Sequence, residues 1–149
     1  MKKRGLLTLI AVLATSCTTS PELSTGTPRP PDLGPYLPTY HPMNALPVAQ
    51  IRGRLVEDGG CLWIEQSEGR VLPLWPPGSR IEREGTSLVV VNSGGARAEV
   101  GTEVIGVGGE YGGPGGLDVV FEAIGEEVPD ACRGDDSYWL VYDVHAVDE

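Results

Sequence analysis

Lysine is missing from the chain after residues 2 and 3. Schiff-base chemistry, a lysine general base and a P-loop phosphate site all need that residue, so the sequence excludes these classes of site. Histidine is also scarce, and His41 and His145 have no evident partner for a catalytic triad or a zinc site. No serine lies in a Gly-x-Ser-x-Gly elbow. We therefore expect a protein that is not an enzyme and that has no metal and no cofactor.

Basic residues are far fewer than acidic residues in this chain. The chain has 11 Lys and Arg against 21 Asp and Glu, a formal net charge of −10, which argues against nucleic acid as a partner. With 149 residues it can form one small domain, and its 21 glycines and 13 prolines argue against long helices. These features indicate turn-rich β structure.

A hydrophobic run long enough to cross a bilayer is absent from the N-terminal leader. Basic residues 2–4 precede an apolar run at 6–14, which is about half of the roughly 20 residues that a spanning helix needs. A basic start, a short apolar run and small residues after it are the pattern of a secretory signal. The leader therefore predicts export.

Residues 13–17, Leu-Ala-Thr-Ser-Cys, resemble the lipobox of bacterial lipoprotein precursors. They depart from the usual pattern at Ala14, where the family has leucine, and at Ser16, where it has glycine or alanine. The resemblance implies cleavage before Cys17 and lipidation of that cysteine, with several acyl chains giving stable membrane anchoring. Thr18 in place of aspartate favours the outer membrane if the organism has one. The alternative is ordinary signal cleavage that leaves Cys17 free.

The stretch from residue 18 to residue 47 is dominated by proline, serine and threonine and has no apolar period. Such a composition predicts a partly extended spacer that reaches roughly 30 to 90 Å. Tyr36, Tyr40 and Met43 leave a second possibility, in which the segment after Leu33 packs back onto the domain as a strap. The sequence thus divides into a signal peptide at 1–16, a lipidated cysteine and spacer at 17–47, and a β domain at 48–149.

Past residue 47 the pattern becomes a period-two alternation broken by glycine, which indicates half-buried strands joined by tight turns. The first strand places Ile51 and Leu55 inward and Arg52 and Arg54 outward. We predict an all-β fold, a small antiparallel Greek-key barrel of OB-fold-like type or a sandwich. The expected strands are 49–55, 61–65, 70–75, 88–91, 96–100, 104–108, 118–124 and 138–147, with a helical turn at 129–133 and with Leu140, Tyr142, Val144 and Ala146 facing inward.

Several short motifs in the domain carry resemblances. Residues 100–104, Val-Gly-Thr-Glu-Val, resemble the turn-to-strand step of OB-fold-like barrels. Residues 58–63, 74–78, 129–134 and 138–141 are similar to segments of small secreted bacterial domains of uncharacterised function. That resemblance implies no known activity and no functional residue.

Cys61 and Cys132 are an even pair in a chain that is predicted to be exported, and we expect them to form a disulfide. Closing a loop of about 70 residues stabilises a fold by roughly 4 kcal/mol in the chain-entropy model. Neither cysteine lies in a Cys-x-x-Cys motif, which argues against a redox pair.

Trp75 precedes Pro76 and Pro77, and two prolines in succession predict a stiff, exposed loop. An exposed indole there would stack on a sugar or on a proline-rich peptide. Arg52 and Arg54, which face outward from the first strand, complete this candidate ligand site.

The sequence therefore favours a lipid-anchored protein of the cell envelope that acts as a non-enzymatic binding or structural module. The membrane, through the N-terminal lipid, and an envelope protein or glycan are the expected partners, and nucleic acid is not. The alternative is a glycan- or peptide-binding domain that uses Trp75 with Arg52 and Arg54. A third hypothesis is a hydrolase with paired carboxylates, for which a separation of about 5 to 9.5 Å is required.

Overall fold

A computed structural model of the chain describes residues 34–44, 47–113, 116–133 and 137–147. The leader, Cys17 and the spacer up to residue 33 lie outside this part of the chain. The described elements are β1 (Ala49–Asp58), β2 (Cys61–Gln66), β3 (Gly69–Leu74), β4 (Arg80–Glu84), β5 (Ser87–Val91), β6 (Arg97–Glu99), β7 (Glu103–Tyr111), α1 (Leu117–Ile124), a 3₁₀ turn (Asp130–Cys132) and β8 (Tyr138–Ala146).

Five of the strands form a closed barrel in the order β1-β2-β3-β8-β7. All neighbours are antiparallel except β3 and β8, which run parallel. This is the connectivity of a five-stranded Greek-key barrel, so the predicted all-β fold is confirmed. The other three strands form a separate sheet, β4-β5-β6, inserted between β3 and β7.

Strand β1 is shared between two partners, as its length allows. Its first half pairs with β7 and its second half with β2, and Arg54 has a partner on both sides. Ile51 and Leu55 are buried, whereas Arg52 and Arg54 are exposed, as the alternation predicts. Gly53 lies where the strand changes partner, and a Cβ there would stand 2.4 Å from a backbone carbonyl oxygen of β2.

Two hydrophobic cores lie on the two sides of β2, β3 and β8. The barrel interior holds residues such as Leu62, Ile64 and Val141. The second core lies on the outer face and holds Trp63 and Leu74 together with residues of α1. Because the sheet is covered on both faces here, the continuous apolar runs in β2 and β3 are buried throughout.

The expectation of a strand at 118–124 is wrong, because the structure has helix α1 there. Val120 and Ile124 lie one turn apart and are buried, which fixes one face of the helix against the outer core. Gly125 ends the helix in the left-handed conformation, with φ of 71°. The 3₁₀ turn confirms the helical turn expected at 129–133.

The segment 34–44, called the strap from here on, packs onto the barrel. Tyr36 and Tyr40 are 3% and 4% exposed and belong to the outer core, and Met43 packs against it. The Tyr36 amide donates to Gly60 O at 2.7 Å, and the Tyr40 amide donates to Trp75 O at 2.9 Å. Of the two possibilities for the segment after Leu33, the structure shows the packed one.

The strap fills an opening between β2 and β3. These strands pair only from Ile64 to Gln66, and Pro73 has no amide to donate toward β2 further along. The Trp75 amide points to the same edge and donates to Pro38 O of the strap at 2.8 Å. The strap therefore takes the place of β2 where proline ends the pairing.

Strand β8 departs from the predicted alternation at a β-bulge. The register to β7 shifts between Val107 and Gly108, so that Tyr142 is the extra residue of β8. Val141 and Val144 are buried, whereas Tyr142 is 37% exposed and Ala146 is also exposed. The expectation that Tyr142 and Ala146 face inward is therefore wrong.

Candidate functional site

A polar groove of about 880 Å³ runs across the outside of the barrel where β1, β2 and β7 meet. We call it the barrel groove. Its open shape and its mixture of charges distinguish it from the closed hydrophobic cores. Its lining includes Arg52, Gly53, Arg54, Glu65, Gly101 and Glu103.

Two glycines lie in the lining of the barrel groove. At Gly53 a Cβ would meet Glu65 O at 2.4 Å and Ile64 Cγ2 at 2.8 Å, so only glycine lets β1 and β2 approach this closely. Gly101 has φ of 98°, a conformation that favours glycine, and its carbonyl faces Arg54. The expected turn at 100–104 is therefore confirmed, and it forms one wall of the groove.

Arg52 and Glu103 form an ion pair across β1 and β7, with 2.6 Å between Nε and Oε1. The hydrogen bond from Arg52 holds the pKa of the Glu103 carboxyl below its usual range, and the charge of the guanidinium lowers it further. The same hydrogen bond raises the pKa of Arg52. This pair is therefore locally neutral.

Arg54 has a different environment, although it lies only two residues away. Its Nε donates to Gly101 O at 2.7 Å. Within the described residues, no carboxylate lies within ion-pair distance of its guanidinium. Glu65 lies directly opposite Arg54 in the register of β1 and β2 and likewise has no ion pair in the described part of the chain.

The three residues predicted as a ligand site are not brought together. Arg52 and Arg54 line the barrel groove, but Trp75 is 0% exposed and belongs to the barrel-interior core. The expectation of an exposed Trp75 is wrong, because the strap hydrogen-bonds both the amide and the carbonyl of Trp75 and the indole points inward. Stacking of a ligand on this indole is excluded in this structure.

The disulfide between Cys61 and Cys132 is confirmed, with 5.5 Å between the two Cα atoms. It joins the start of β2 to the 3₁₀ turn, and both cysteines belong to the outer core. Trp63 belongs to the same core, and the Arg70 guanidinium carbon lies 4.1 Å from its ring centre.

The groove contains two carboxylates, Glu65 and Glu103, that bear on the hydrolase hypothesis. A general acid of such an enzyme needs a raised pKa, but Arg52 lowers the pKa of Glu103. In the residues that the structure describes, no three His, Cys, Asp or Glu side chains lie close enough to hold a metal ion.

Glu65 and Gly53 are groove residues that no sequence motif indicates, whereas Gly101 lies in the predicted turn at 100–104. Glu65 could have been found by counting from the Asp58-Gly59-Gly60 turn, because a hairpin that pairs Asp58 with Cys61 also pairs Arg54 with Glu65. Glu103 reaches the groove through the non-local pairing of β1 with β7, which has no signal in a short window of sequence.

Comparison with known proteins finds no matching family model, no similar curated protein and no similar solved structure. None of the helices in the described ranges has both the length and the apolar character needed to cross a bilayer.

Proposed function

We propose that this protein is a lipid-anchored component of the bacterial cell envelope that acts as a non-enzymatic binding or structural module. The observation that carries the proposal is the lipobox-like stretch at 13–17 at the end of a signal-like leader. The disulfide supports export, because such bonds persist in oxidising compartments and are rare in the cytosol.

The strap limits how far the domain can lie from a lipid on Cys17. The first described residue is Gly34, so 17 residue steps separate it from the cysteine. At 3.3 to 3.6 Å for each residue, even a fully extended chain spans at most about 60 Å. The anchored domain therefore stays closer to the membrane than the spacer of up to 90 Å expected from the sequence.

The barrel groove favours ligand binding as a second function. Arg52 and Arg54 line a groove that is large enough for a small ligand. The ligand would be a peptide or a glycan, but its site is the groove and does not include Trp75.

Lipidation is tested by expressing the full chain in a bacterial host with labelled palmitate. The wild-type protein should incorporate the label and should sediment with membranes. Cys17→Ser should lose both properties, because serine provides no thiol for the diacylglyceryl group. Thr18→Ala is the matched control and should behave as wild type. A Cys17→Ser protein that still carries the label, or that fractionates as wild type does, would refute the anchor.

A further inference from the structure

The barrel groove contains a guanidinium that is held in place and lacks an anionic partner. The bond from Arg54 Nε to Gly101 O, 2.7 Å long, fixes the plane of the guanidinium. Its two terminal amino groups make no hydrogen bond or ion pair within the described residues. A guanidinium that is already oriented loses little freedom when it binds a carboxylate through two parallel hydrogen bonds.

An anion without a partner lies next to this cation. Glu65 is the register partner of Arg54, and paired residues of antiparallel strands have Cα atoms about 5 Å apart. No hydrogen bond or ion pair of the Glu65 carboxylate is present in the described part of the chain. The two opposite charges are adjacent but separate, because Arg54 is turned toward the carbonyl of Gly101.

The remaining charged pair of the groove does not compete for a ligand. Arg52 and Glu103 satisfy each other at 2.6 Å. The charges left over in the groove are therefore one positive, on Arg54, and one negative, on Glu65. A ligand that neutralises both must itself carry a negative and a positive group.

We propose that the barrel groove binds a free zwitterionic dipeptide, with its C-terminal carboxylate on Arg54 and its N-terminal ammonium group on Glu65. This inference rests on the second function proposed above, that the groove is a ligand site. A dipeptide has both groups within a few ångströms, and the groove volume of about 880 Å³ accommodates it. A polyanion is disfavoured, since Glu65 and Glu103 repel it and the whole chain has a net charge of −10.

The test uses the full-length lipidated protein in detergent and follows the backbone amide NMR signals of Gly53 and Gly101. The probes are L-alanyl-L-alanine, its C-terminal amide, its N-acetyl derivative and the neutral sugar di-N-acetylchitobiose. The dipeptide should give saturable shifts at millimolar concentration. The amide and the N-acetyl form should each bind at least about fivefold more weakly than the dipeptide, because each lacks one of its two charges.

Variants identify which side chain binds which charged group of the dipeptide. Arg54→Gln should weaken binding of the dipeptide about fivefold while leaving binding of its amide unchanged, since the amide has no carboxylate to lose. Glu65→Gln should weaken binding of the dipeptide about fivefold and leave binding of its N-acetyl form unchanged, since the N-acetyl form has no ammonium group to lose. Arg83→Gln is the matched control, because Arg83 is an exposed arginine of β4 outside the groove, and it should change nothing.

Equal binding of the dipeptide and its amide would overturn the proposal. Saturable shifts from the sugar without shifts from the dipeptide would overturn it as well, while leaving the groove as a ligand site. If none of the probes shifts the groove signals, both this proposal and the ligand-binding function fail, whereas palmitate labelling tests the anchor separately.

Discussion

Removing the disulfide should cost the domain a large part of its stability. Cys61 and Cys132 are 71 residues apart, and for a loop of this length the chain-entropy relation gives about 4 kcal/mol at 25 °C. A domain of this size has a free energy of unfolding of roughly 5 to 15 kcal/mol. Both cysteines belong to the outer core, and the Tyr36 amide of the strap donates to Gly60, the residue just before Cys61.

The perturbation is the double variant Cys61→Ala and Cys132→Ala, compared with wild type by urea unfolding of the full chain in detergent. We expect a loss of about 4 kcal/mol, or a fall in Tm of about 15 to 20 °C. Wild type that has been unfolded and refolded in excess reductant should show the same loss. A loss below about 1 kcal/mol in the double variant would refute the reasoning, since the crosslink would then have little effect on the unfolded chain.

Three further predictions concern the groove and the strap. Gly53→Ala should lower the free energy of unfolding by about 1 to 3 kcal/mol, because its Cβ would stand 2.4 Å from Glu65 O; unchanged urea unfolding would contradict the close approach. Tyr36→Ala should cost about 3 kcal/mol by the same assay, since the ring is 3% exposed, and a loss under 1 kcal/mol would contradict its place in the core. Arg52 lowers the pKa of Glu103, so this pair stabilises the fold above the unfolded pKa of about 4.3 and its contribution is lost as the pH falls through the lower folded value. Glu103→Gln should therefore reduce the loss of stability between about pH 5 and pH 3, and an unchanged pH profile would contradict the ion pair.

The parts of the fold that follow from local pattern were predictable from the sequence. The alternation in β1, the Asp58-Gly59-Gly60 turn and the pairing of the two cysteines all need only short windows or a count of residues. Closure of the barrel by the parallel pairing of β3 and β8 depends on strands more than 60 positions apart, and no short window contains that information.

The errors have local physical causes. The prediction of a strand at 118–124 extends the series of short strands, but Leu117, Val120 and Ile124 have helical spacing and Gly125 provides the left-handed end. Tyr142 was assigned inward because a bulge cannot be recognised from alternation alone.

In the candidate site, too, some features follow from local sequence and others depend on distant parts of the chain. The outward direction of Arg52 and Arg54 follows from alternation, which placed them correctly on the surface. The burial of Trp75 does not follow from its two following prolines, because it involves the strap, whose composition is typical of a spacer. Glu103 comes to Arg52 only through the pairing of β1 with β7.

Mass spectrometry of the N-terminal fragment of the mature protein tests the central claim most directly. We predict that the mature chain begins at Cys17 and that the fragment is heavier than its amino-acid sequence by a diacylglyceryl group, with or without a further N-linked acyl chain. A mature chain that begins at any other residue, or an unmodified Cys17, would contradict the envelope anchor and the function proposed from it.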